Sequence, residues 1–269
     1  MRLGSIFTYP VKGCHRVTHD GARVEPWGLA GDRRWMIVDP DGVGVTQRET
    51  TALVFLDAAV QPGALRLAAP GREEITIQEP PAYELGVKIF KSRRATVPAR
   101  SAGPSADEWL SDFLDRPVRL VFLHDPTAHT AGGSSSVDKV SFADAYPLLL
   151  ANVASLDALN DWLLESGDER VPITRFRPNV VVEGARPWAE DDWVGGRLRI
   201  GDAIFRAISL CDRCVVTTID QETAEKGKQP LRALGQHRNI DQGLMFGLNL
   251  VPEHPALITV GDEVEVLDR

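Results

Sequence analysis

The apolar runs of this chain are short, and glycine, proline or aspartate closes nearly every one of them. A helical bundle needs long stretches of 3.6-residue periodicity. With 23 glycines and 18 prolines in 269 residues, the sequence instead predicts a β-rich fold of short strands and tight turns. The clearest turn is Asp39-Pro40-Asp41-Gly42, flanked by Trp35-Met36-Ile37-Val38 and Val43-Gly44-Val45-Thr46, because Asp-Gly is a strong hairpin signal. Further strands are expected at 53–59, 65–68, 75–78 and 84–90, and again at 118–123 beyond a polar connector, 98–104.

Ser105-Ala106-Asp107-Glu108 has the form of a capping box. It predicts a short helix with Trp109, Leu110, Phe113 and Leu114 on one face, stopped before Pro117. A second helix is expected over 155–165, where Leu156, Leu159, Leu163 and Leu164 approach helical spacing, with Asn152 or Ser155 as its cap. Strands resume at 179–183, 197–200, 203–208, 215–219 and 257–267. Ile200-Gly201-Asp202-Ala203 and Val260-Gly261-Asp262-Glu263 both read as hairpin turns in a barrel. Ala131-Gly132-Gly133-Ser134-Ser135-Ser136 reads as a loop. The fold class is α/β, predominantly β, in two domains: 1–120 and 121–269.

A formal net charge of -8 argues against a general nucleic-acid binder, whose affinity rests on a broad basic surface. It leaves room for a small basic pocket around one anion. No run approaches the roughly 20 apolar residues that span a bilayer, and the start lacks the apolar core of a secretion signal. Three cysteines are too few and too odd for a disulfide framework, so a reducing cytoplasm is expected. G-x-S-x-G, P-loop and G-x-G-x-x-G patterns are absent, which sets aside an ordinary hydrolase, NTPase or Rossmann dehydrogenase.

Cys211-Asp212-Arg213-Cys214 is the feature with most chemistry in it. Structural zinc would need four ligands; there is no second C-x-x-C, and His237 and His254 lie at the wrong spacing for a zinc finger. A thioredoxin-like dithiol sits at a helix N-terminus, whereas Val215-Val216-Thr217-Thr218-Ile219 is β-branched and predicts a strand. A third reading puts one thiolate at a barrel mouth, beside the cation Arg213, as ligand to a soft transition metal. A fourth makes both cysteines small buried hydrophobes.

Lys12, Arg33, Arg175 and Arg177 stand near glycines and prolines in an acidic chain, a placement that suggests an anion clamp. Taken singly, each is an ordinary surface charge. Phe246-Gly247-Leu248-Asn249-Leu250 reads as a turn, or as a loop whose glycine lets backbone approach a ligand.

Several separated motifs, in order, resemble a known family. Tyr9-Pro10-Val11-Lys12-Gly13 and Gly28-Leu29-Ala30-Gly31-Asp32-Arg33-Arg34-Trp35 resemble the N-terminal β-barrel domain that precedes MOSC domains. Phe142-Ala143-Asp144-Ala145-Tyr146-Pro147-Leu148-Leu149-Leu150 and Arg175-Phe176-Arg177-Pro178-Asn179 resemble the MOSC domain itself, a second β-barrel with flanking helices. Arg213-Cys214-Val215-Val216-Thr217-Thr218-Ile219-Asp220 resembles its cysteine motif, and Ile258-Thr259-Val260-Gly261-Asp262 its close. The match departs at Gly13, where relatives often carry serine, at Ala151-Asn152-Val153-Ala154-Ser155, and at Gln221, where a proline is common.

The resemblance, which extends to the amidoxime-reducing components, implies a molybdenum–pterin cofactor. Cys214 would ligate the metal, Lys12, Arg33, Arg177, Asn179 and Arg213 would hold the pterin and its phosphate, and Cys211 would have no ligand role. It implies reduction of N-hydroxylated or N-oxide small molecules, with Cys214 the catalytic residue. Three cysteines cannot supply a plant-type iron–sulfur cluster, so electrons are expected from a separate ferredoxin or flavoprotein reductase. MOSC domains also occur in cofactor sulfurases, so the alternative is a cofactor-binding or sulfur-carrier protein with a Cys214 persulfide.

Overall fold

The computed structural model describes residues 1–82, 84–92, 95–130 and 138–268. The expected loop at 131–136 lies outside them. The structure is mostly β, with three α-helices among the described residues: α1 (Pro104–Leu114), α2 (Val153–Glu165) and α3 (Leu231–His237).

The largest sheet runs, neighbour to neighbour, through Val264–Asp268, Arg197–Ile200, Ala203–Asp212, Gly243–His254, Leu148–Asn152, Val180–Glu183, Arg2–Thr8 and Val17–His19. Asn239–Ile240 joins as a short ninth strand. Its pairs are antiparallel except Leu148–Asn152 with Val180–Glu183, which is parallel. Parallel neighbours need a long crossover, and α2 provides it. The sheet curls until its first and second-last strands meet at one isolated bridge, Arg2 with Glu263. The ladder itself stays open there. Inside the curl, Leu3, Ile6, Leu150, Val180, Leu198, Phe205 and Leu248 form the main core.

A four-stranded sheet orders Trp35–Val38, Arg119–Phe122, Val97–Ser101 and Glu84–Val87. A meander of Asp57–Gln61, Ala64–Ala68 and Ile75–Gln78 lies beside it, and α1 closes their shared core with Ala106, Leu110 and Leu114. The first strand of the chain does not belong to this half. Arg2–Thr8 pairs with Val180–Glu183, and Gly21–Glu25 pairs with Leu257–Thr259, so both ends of the sequence are woven together.

Several local expectations are corrected. The capping box does not form: Gly103 precedes α1, Pro104 occupies its first turn, and Asp107 accepts the backbone N–H of Leu120 at 2.8 Å instead. Proline needs no hydrogen-bond partner at that position, so it starts the helix before the serine can cap it. The expected strand at 53–59 divides into a 3₁₀ turn, Thr51–Phe55, and a strand, Asp57–Gln61. Past the Asp39–Gly42 turn, Val43 and Gly44 make only isolated bridges. Val260–Glu263 joins strands of two different sheets rather than forming a hairpin. Phe246–Leu250 lies inside the strand Gly243–His254, where Gly247 adopts φ +84° and a Cβ would stand 2.7 Å from the Leu150 carbonyl oxygen. The close approach is to a neighbouring strand, not to a ligand.

Candidate functional site

A pocket of about 410 Å³ opens where the large sheet meets residues 12–13, 33 and 45–48 of the first half. Its lining includes Lys12, Arg33, Arg177, Asn179, Arg213 and Cys214, the six residues singled out in the sequence. Gly13, Arg48, Asp144, Phe176, Cys211 and Asn249 also face it.

Two of its arginines occupy the left-handed backbone region, Arg33 at φ +49° and Arg177 at φ +53°. That conformation is uncommon for residues with a Cβ and costs on the order of 1 kcal/mol or more at each. It is held by local bonds: Arg33 donates its backbone N–H to Tyr9 at 2.8 Å, and Arg177 caps a 3₁₀ turn by donating to Thr174 at 3.1 Å. Both guanidinium groups then lie over the Tyr9 ring, with centroid distances of 4.7 and 4.1 Å. The Tyr9 hydroxyl donates to the Pro178 carbonyl at 3.1 Å, and burial pushes its pKa up to about 12 against the pull of both arginines. Tyr9 is therefore a neutral platform between two cations.

Asn179 joins three segments. Its side-chain oxygen accepts from the Leu149 backbone at 3.2 Å and from Arg33 at 3.3 Å, and its amide donates to the Phe7 carbonyl at 3.2 Å. Arg33 also pairs with buried Asp32. Lys12 is almost fully buried; its ammonium donates to the Phe142 carbonyl at 2.9 Å and pairs with Asp144. Burial lowers the Lys12 pKa from the ordinary lysine value, with Asp144 opposing and Arg33 and Arg48 adding to the effect. Burial alone would raise Asp144; Lys12, Arg33 and Arg48 outweigh it and hold its carboxyl below the usual range. The Asp144 side chain is 55% exposed and faces the pocket.

The cysteines depart from expectation. Residues 215–219 are not a strand: Val215–Thr218 is a 3₁₀ turn with Cys214 immediately before it. The threonines make that turn possible despite their β-branching. Thr217 Oγ1 donates to the Cys214 carbonyl at 3.0 Å and Thr218 Oγ1 to the Val215 carbonyl at 2.8 Å, each closing three residues back. The adjacent cation also serves the other sulfur. Arg213 donates to Cys211 Sγ at 2.8 Å and to the Phe176 carbonyl at 2.7 Å. Cys214 Sγ instead receives Arg48 Nη2 at 3.4 Å, from 166 residues away. Nothing in the sequence singled out Arg48, since no local spacing encodes so distant a contact. Cys14 is buried, which raises its thiol pKa to about 12. The three cysteines are all unbridged.

At the pocket wall, Gln47 pairs with Gln221 through reciprocal amide bonds, both 3.0 Å, across the junction of the two halves. Gln47 donates further to Gly13 at 2.7 Å, and Gln221 accepts from Arg177 at 2.9 Å and donates to Ile219 at 3.0 Å. Arg177 completes the network through the Cys14 carbonyl at 2.8 Å.

Among the described residues, Arg48, Arg177 and Arg213 have no hydrogen-bonded carboxylate, and Arg213 Nε is buried with no partner at all. A pocket so lined is built for an anion, with one or two thiols at its wall. No group of three or more His, Cys, Asp or Glu side chains forms a metal cage among the described residues.

The sequence matches the model of the MOSC N-terminal beta barrel domain over residues 1–117 and that of the MOSC domain over residues 137–265. The chain belongs to the family of proteins that join these two domains. It is 30% identical to the mitochondrial amidoxime-reducing component 1 of Mus musculus, over 99% of this chain and 82% of that protein. The Homo sapiens counterpart is 29% identical, over 99% of this chain and 83% of its own length. Identity to the molybdenum cofactor sulfurase of Danio rerio is 30% over 97% of this chain, but only 34% of that protein is matched.

Proposed function

We propose that this protein binds a molybdenum–pterin cofactor through Cys214 and reduces N-hydroxylated or N-oxide small molecules. The observation that carries the reading is the joint exposure, in one pocket, of the Cys214 thiol and of guanidinium groups without carboxylate partners. Arg213 lines the pocket and bonds only the Cys211 sulfur and the Phe176 carbonyl, which leaves guanidinium N–H groups to meet such a ligand. The likeness to amidoxime-reducing components supports the reaction class.

When bound, the cofactor supplies two-electron oxygen-atom chemistry at a metal centre. Lys12, Arg33, Arg177 and Arg213 hold the pterin and its phosphate by charge-assisted hydrogen bonds, and Asn179 fixes the orientation of Arg33. Cys214 offers its sulfur from the rim of a 3₁₀ turn whose backbone is pinned by Thr217 and Thr218, which keeps the ligand atom in place. Lys12 gives two of its three N–H donors to Phe142 and Asp144, which leaves one for a phosphate. In this reading electrons come from a separate donor, a ferredoxin or flavoprotein reductase. Unbridged thiols fit a reducing cytoplasm.

The test is molybdenum content of protein from a host that makes the cofactor, beside Cys214→Ser. Near-stoichiometric metal in the wild type, little in the variant, and reduction of a benzamidoxime-type substrate with a reconstituted donor are expected. Metal-free wild type carrying a labile sulfur on Cys214 would replace this reading with that of a sulfur carrier.

A further inference from the structure

We infer that Arg48 is a positioning residue for the Cys214 sulfur, supplied by the first half of the chain to a ligand atom in the second. The inference rests on the cofactor reading above and gives Arg48, so far one of the pocket's cations, a specific role at the sulfur.

Arg48 Nη2 stands 3.4 Å from Cys214 Sγ, within hydrogen-bond range for sulfur. An exposed arginine would ordinarily sample many rotamers, but this one is pinned on both sides. Gln47, one residue before it, is 1% exposed and locked to Gly13 and Gln221. The Thr46 carbonyl accepts both Glu49 and Thr50 N–H groups, at 3.1 and 3.0 Å, which folds the loop into a turn. Lys226 donates to the Arg48 carbonyl at 3.3 Å, and the guanidinium rests over the Phe90 ring at 5.8 Å. The nearby carboxylates are engaged elsewhere: Asp144 with Lys12, and Glu49 toward Arg116 at 3.9 Å. The guanidinium is thus held on the sulfur by a preorganised loop.

Outer partners of this kind orient a ligand and tune the metal it binds. A cationic N–H donor on a thiolate ligand withdraws electron density and favours the reduced state of the metal. Removing it therefore shifts the metal couple toward oxidation.

The experiment is an EPR-monitored redox titration of molybdenum-loaded wild type, Arg48→Lys and Arg48→Met, with metal content measured on each. Arg48→Met is expected to shift the one-electron equilibrium about tenfold toward the oxidised metal, ~59 mV, with Arg48→Lys between it and wild type. Loss of metal from Arg48→Met, restored in Arg48→Lys, supports the same role. Equal potentials in all three proteins would overturn the inference alone. A wild type that takes up no molybdenum would overturn both the inference and the cofactor reading.

Discussion

The Gln47–Gln221 pair offers the most direct test of how the two halves are fastened around the pocket. Gln221 is 4% exposed and makes four hydrogen bonds: two with Gln47, one from Arg177 and one to Ile219. Gln221→Met keeps the length of the side chain and removes all four. It strands Gln47 Oε1, the Ile219 carbonyl and Arg177 Nη1, each buried or nearly so. A stranded buried group costs roughly 1–3 kcal/mol; at the low end of that range the variant loses about 3 kcal/mol. Gln47→Met strands only the Gly13 carbonyl and leaves Gln221 with Ile219 and Arg177, so it should cost about 1–2 kcal/mol. In the double variant Gln47 Oε1 no longer exists to be stranded. The double loss should therefore fall short of the sum by about 1 kcal/mol, the signature of a coupled pair. Urea midpoints measured at constant slope supply all four corners of the cycle. A cost for Gln221→Met below about 1 kcal/mol, or additivity within ~0.5 kcal/mol, would refute the reasoning.

Two further outcomes follow from the packing. Glu190 is 1% exposed; Asn152 and Ser155 each donate to its Oε2 at 2.9 Å, and Oε1 has no partner. Burial raises its pKa despite those two bonds. The folded state therefore holds this proton more tightly than the unfolded chain, so the contribution is full below the ordinary glutamate value and is lost as pH rises through the folded one. Glu190→Gln should flatten the fall in melting temperature above the ordinary glutamate pKa, and parallel curves for the two proteins would count against it. Gly247→Ala combines a left-handed φ with a Cβ 2.7 Å from the Leu150 backbone oxygen, for about 3 kcal/mol. At about 2–4 °C per kcal/mol its melting temperature should drop by roughly 6–12 °C, and an unchanged value would sink the steric account.

The strands were legible where the signal is local. Gly201-Asp202 turns the hairpin that pairs Ile200 with Ala203, and α2 lies where its leucines recur. The six site residues came from matching dispersed motifs, since no spacing rule joins Lys12 to Cys214. Val215–Thr218 misled because β-branching also suits a turn when threonine hydroxyls reach carbonyls three residues back. The capping box misled because Pro104 begins the helix one residue earlier. The Arg48–Cys214 contact and the switch of Arg213 to Cys211 depend on tertiary placement, which residue type alone does not encode.

The path of the first strand has a consequence for how this chain comes into being. Arg2–Thr8 pairs along one edge with nearby Val17–His19, but its other edge finds a partner only at Val180–Glu183. At a translation rate of roughly 5–20 residues per second, the partner leaves the ribosome on the order of 10 s or more after the strand. Through that interval Leu3, Ile6 and Phe7, all buried in the finished fold, have no β neighbour on that edge. Nor can the later half be lifted out as a cassette: cutting the chain near residue 120 would leave Val180–Glu183 as a bare edge and take Lys12, Arg33 and Arg48 with the discarded piece. The pocket is inherited only as a whole.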